Sequence, residues 1–127
     1  MNHQDLKEIL ELERRFYSKW CEDISITGVL VGAAQRQDHV TISMLVSMRQ
    51  KPLLELQEIS SHIGLKRNDL TKDEAHHFDL LLSGTPPEDP EEIFIVDQIA
   101  TNRRLLKQLA KLDKQVSQKL CGERSFY

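Results

Sequence analysis

Glu74-Ala75-His76-His77 is a stretch whose residue types could do chemistry, because a glutamate three residues before a histidine puts a carboxylate and an imidazole on one helix face. That is half of the ligand set of a carboxylate-bridged di-metal bundle. The full set needs a second Glu-x-x-His and two further glutamates on facing helices, and no second copy exists here. Glu58 and His62, four apart, are a similar neighbour pair that a solvated surface explains as well. Cys21 and Cys121 match no ligand spacing and are expected as reduced packing thiols. With no Gly-x-Ser-x-Gly elbow and no glycine-rich phosphate loop, the expectation is a protein that is not an enzyme and takes no cofactor or metal.

A different chemistry is suggested by "LQEISSHIGLKRNDL", where Ser60, Gly64 and the apolar Ile59, Ile63, Leu65 and Leu70 have helix-turn-helix spacing over about 56–76. Its recognition helix would present "NDLTKDEAHH", whose acids oppose phosphates, with only Lys66 and Arg67 to help. Seventeen Lys+Arg against twenty Asp+Glu give a net charge of -3, which also argues against a nucleic-acid partner. The alternative functions are a small helix-turn-helix DNA-binding regulator and a helical adaptor of another secretion or assembly system.

The elements that would position such groups are helical. A chain of 127 residues with 39% apolar and 29% charged residues, five Gly and four Pro suits one all-α domain: an elongated antiparallel bundle of three to four helices, two of them long. Leu6, Ile9, Leu10, Phe16, Trp20, Ile24 and Val31 form one stripe of a helix over about 3–34, in which Gly28 and Gly32 would permit a close helix crossing. A second helix is expected over 38–63, with a kink or boundary near Gln50 and Lys51 caused by Pro52 and a stop at Gly64. Thr71 and Glu74 form a capping box for a short helix over 72–82. Asp89-Pro90-Glu91-Glu92 starts a last helix over 90–121.

In that last helix Ile95, Asn102, Leu109 and Val116 fall seven apart, with Leu105 and Leu112 between them, a coiled-coil-like repeat. Arg103, Arg104, Lys107, Lys111, Lys114 and Lys119 fill its outer surface. The N-terminal "MNHQDLKEILELERR" has no apolar signal core and no run approaches the about 20 apolar residues of a membrane span, so a cytoplasmic protein without a membrane partner is expected.

"SMRQKPLLELQEI" together with "ATNRRLLKQLAKLDKQVSQKLCGERSFY" resembles the FlgN family of flagellar type III export chaperones. Lys51, Leu53, Leu54 and Leu56 stand at that family's "KxxLLxxL"-type landmark. Asn102, Leu105, Leu106, Leu120, Gly122 and Tyr127 stand at its "NxxLI…LxGG…Tyr" landmark, with Arg103 where glycine is frequent and Gly122-Glu123 in place of the glycine pair. The resemblance implies a non-catalytic helical protein that binds the helical C-terminal region of hook-filament junction subunits, keeps them export-competent and passes them to the export apparatus.

On that reading the partner-binding residues are Asn102, Leu105, Leu106, Leu109, Leu112, Val116 and Leu120, extended by Phe126 and Tyr127. Two roles are open for the stripe, binding surface or internal core, and Asn102 has a further one as a register-setting polar residue. The terminal rings either fold back on the bundle or anchor cargo.

Overall fold

The computed structural model describes residues 1–121, which form four helices: α1 (His3–Gln35), α2 (His39–Asp69), α3 (Lys72–Leu82) and α4 (Pro90–Cys121). Each start is marked by a side chain that accepts an otherwise orphaned backbone N–H. Asn2 accepts from Asp5 and Asp38 from Thr41. Thr71 accepts from Glu74, whose carboxylate in turn accepts from the Thr71 N–H, so the expected capping box is formed. Asp89 accepts from the Glu91 N–H. Between α1 and α2, Gln37 takes a left-handed φ of 55° to reverse the chain.

Gly64 does not stop α2. The helix continues five residues further, where Lys66 reaches Asp5 and Glu8 of α1 and Arg67 pairs with Asp79 of α3. These ties offset the cost of a helical glycine, about 1 kcal/mol, and make α2 a third long helix. No boundary falls at Gln50 or Lys51 either: α2 is continuous through Pro52, whose ring is buried. The α1 glycines make no close crossing. A Cβ at Gly28 would meet nothing within 4 Å, and one at Gly32 would meet only Arg36 of its own helix.

Helix α1 packs along α2 on one side and α4 on the other. It runs antiparallel to α2, with Asp5 opposite Lys66, Lys19 opposite Glu55 and Asp23 opposite Arg49. It runs parallel to α4, with His3 opposite Glu91, Glu13 opposite Asn102, and Leu30 clustered with Val116. Among the described residues α2 and α4 make no close backbone approach to each other.

The short helix α3 occupies the corner diagonal to α1. Arg67 of α2 donates two bonds to Asp79, at 2.9 and 2.6 Å, and His77 meets the buried Glu92 of α4 at 2.7 Å. From that corner Phe78 fills a cluster with Leu6, Ile9, Ile95 and Ile99. A second cluster, Leu30, Ala33, Leu45 and Val116, closes the far end of the bundle. Among the described residues no helix is long and apolar enough to cross a membrane.

Candidate functional site

At 1.5 Å per residue α1 is about 50 Å long and α3 only about 16 Å. The bundle therefore has three full-length helices and a fourth position that its own chain fills for about a third of its length. Seven-residue steps show what lies in the remainder, because positions seven apart repeat on one face of a packed helix. On α1, Ile9 sits in the Phe78 cluster and is followed by Phe16. On α2, Arg67 holds α3 and is preceded by Ser60, Leu53 and Val46. On α4, Ile99 sits in the same cluster and is followed by Leu106.

Of these, Phe16, Leu53 and Ser60 border an open hollow beyond α3, and the seven-residue continuation from Ile99 to Leu106 gives this channel its α4 side. Phe16 and Trp20, their rings stacked at 6.5 Å, form its floor. Together with Leu53, Leu56, Gln57 and Ser60 they border a hollow of about 390 Å³. Leu53 is 38% exposed and Leu106 41%, against 6% for Ile99, the residue seven earlier that α3 covers. The buried face of α4 turns accordingly. Near α3 it includes Glu92, Ile95 and Ile99, whereas farther on Leu109 and Val116 carry it and the side that met α3 faces solvent.

Beneath and beyond the channel the interior is polar. Asn102 Nδ2 donates to the Glu13 backbone oxygen and to Glu13 Oε2, both at 2.9 Å, which pins α4 to α1 in register. Burial pushes the Glu13 carboxyl above the usual glutamate range, against the opposing effects of Asn102 and Arg103. Farther along, the fully buried Asp23 accepts from Arg49 Nε at 2.8 Å and Thr27 at 3.1 Å, and Arg49 continues to Asp113 of α4 at 2.8 Å. One arginine thus joins α1, α2 and α4.

Opposite pH dependences follow. Folding raises the Glu13 pKa, so charged Glu13 opposes folding above that raised value, and the penalty disappears as pH falls through it toward 4.5. Glu13→Gln is therefore expected to raise the thermal midpoint at pH 7, with the gain shrinking on acidification in paired melts. Asp5 and Glu8 are held low by Lys66, Glu55 by Lys19 and Asp79 by Arg67. Their contribution is present above the ordinary carboxylate range and is lost as pH falls through the lowered values.

The residues singled out from the sequence separate into two groups. Asn102, Leu109 and Val116 are buried between helices and Leu105 and Leu112 are half-buried, so these five belong to the bundle rather than to a free stripe. Leu106 and Leu120 are exposed. Phe126, Tyr127 and Gly122 lie outside the described residues. Of the central landmark, Lys51, Leu53 and Leu54 are exposed and Leu56 is buried beside the channel. The reading of one stripe on α4 missed Phe16, Trp20 and Leu53, because a channel floor is spaced like a core stripe in sequence. Only the shortness of the 72–82 helix hinted that the fourth position would run out.

The alternative sites take other roles. Glu74 caps α3 and His77 pairs with Glu92, and among the described residues no group of three or more His, Cys, Asp or Glu is placed to hold a metal. The helix-turn-helix over 56–76 is not formed, since Gly64 lies inside α2 and both Lys66 and Arg67 are engaged by carboxylates. No protein-family model, curated protein or solved structure matches the chain.

Proposed function

We propose that this is a non-catalytic chaperone that receives a helix of a partner protein in the channel between α2 and α4, in the manner of flagellar export chaperones. The observation that carries this reading is the fourth helix position, occupied by α3 at one end and bordered by exposed Leu53 and Leu106 beyond it. An amphipathic helix laid there would complete a four-helix bundle, covering Phe16 and Trp20 by helix-in-groove docking. A cargo helix so covered is kept from premature association, and no bond is made or broken. The resemblance of the central and C-terminal landmarks supplies the proposed cargo, the helical C-terminal region of hook-filament junction subunits, and a cytoplasmic place of action.

Co-purification tests the reading. The tagged protein is expected to retain a co-expressed junction subunit with an intact C-terminal helix and to lose one from which that helix has been removed. Trp20→Ala is expected to weaken capture at least tenfold, since aromatic anchors dominate such interfaces. Capture that ignores the cargo helix would remove the reading.

A further inference from the structure

The two walls of the channel differ in charge, and the difference selects the occupant. Along α2 the channel side carries Val46, Gln50, Leu53, Gln57 and Ser60, without a charge. Along α4 the positions seven and more beyond Val96 and the α3-covered Ile99 bring Arg103, Leu106 and Ala110 to the rim, with Lys107 and Lys114 beside them. Arg103, Lys107 and Lys114 are exposed. From Ala100 to Cys121 the sole acid is Asp113, which Arg49 already engages. One wall is thus neutral and the other positive, over a floor that is apolar at Phe16 and Trp20 and polar where Arg49 meets Asp113. From this we infer that the channel takes an amphipathic partner helix of about 20 residues, matching the about 30 Å left beyond α3, whose flank beside α4 is acidic and whose flank beside α2 is uncharged.

Charge complementarity of this kind fixes which way a docked helix is rotated and speeds its encounter more than it adds affinity. A helix with basic residues on the α4 side would meet three cations with no anion to relieve them. A second copy of this chain is a poorer occupant, because its α4 presents the same cations to the same wall. The inference rests on the helix-binding reading above and narrows the partner class.

Two synthetic helices of about 20 residues, sharing one leucine stripe, separate the possibilities. One carries glutamates along a single flank and the other glutamines in the same places. At low salt the glutamate helix is expected to bind at least tenfold more tightly. That advantage is expected to vanish in about 1 M salt, where screening lengths fall to about 3 Å, and in the Arg103→Gln/Lys107→Gln/Lys114→Gln variant. Leu53→Asp and Leu106→Asp replace exposed side chains and are expected to lose both helices at unchanged helical content by circular dichroism. Equal affinity for both helices overturns the acidic flank and leaves the helix-binding reading standing. Failure of both to bind overturns the two together, and binding that survives Leu53→Asp places the helix elsewhere and overturns the inference. Sedimentation showing a dimer that Leu53→Asp dissolves assigns the channel to a second copy and overturns it as well.

Discussion

Arg49→Ala is expected to cost about 3–5 kcal/mol of stability, the range for removing one partner of a buried ion pair. For a chain of this size that is a fall in the thermal midpoint of about 10–20 °C. Asp23 is 0% exposed, its Oδ1 depends on Arg49 and Thr27, and its Oδ2 has no hydrogen-bond partner among the described residues. Without the guanidinium, the carboxylate is left desolvated and without its ion-pair partner. The Asp113 arm is worth much less, since its side chain is nearly half exposed; Asp113→Asn is expected to cost under about 1 kcal/mol. The double variant Asp23→Asn/Arg49→Met is expected to recover much of the loss, because both charges leave together. Urea unfolding of the four proteins measures this. An Arg49→Ala protein within about 1 kcal/mol of the parent would show that Asp23 does not depend on the arginine.

The other large effect is expected at Phe78, which is 1% exposed and carries α3 into the cluster with Leu6, Ile9, Ile95 and Ile99. Phe78→Ala is expected to cost about 3–5 kcal/mol, from lost transfer energy and the cavity left behind. Its consequence is local as well as global. An 11-residue helix is marginal on its own, and besides the buried Leu81 and Ala75 its remaining ties are polar: Glu74 with the Met1 N-terminus, Asp79 with Arg67 and His77 with Glu92. Amide exchange over 72–82 is expected to accelerate more than exchange in α1. Uniform acceleration along the chain would mean that α3 and the three long helices unfold as one unit. Unchanged exchange over 72–82 would show that Leu81, Ala75 and the polar ties hold α3 without the ring.

Much of the helical plan is legible from local chemistry. The Thr71–Glu74 box and Asp89-Pro90 satisfy or avoid orphan N–H groups within a single turn, so their effect can be read without knowing what packs nearby. The Ile95, Asn102, Leu109, Val116 series is likewise visible as a period, and all four are buried. Gly64 misled because a glycine stop competes with tertiary ties, and Lys66 and Arg67 beyond it find carboxylates on α1 and α3. Glu13 and Asp23 gave no signal as interior residues: their neighbours in sequence are ordinary, and their partners Asn102 and Arg49 lie 89 and 26 residues away.

By itself the sequence determined that the chain is all-helical, where α1 and α3 end and which face of the last helix is apolar, because each of these depends on periodicity or on capping within a few residues. The tertiary structure alone decided that α4 runs beside α1 in the same direction, that Leu109 and Val116 are core while Leu106 faces an open channel, and that Phe16 and Trp20 form a floor. Those outcomes depend on how many helices surround each position. At the fourth corner of this bundle that number is set by the 11-residue length of α3 against neighbours of 31 to 33 residues.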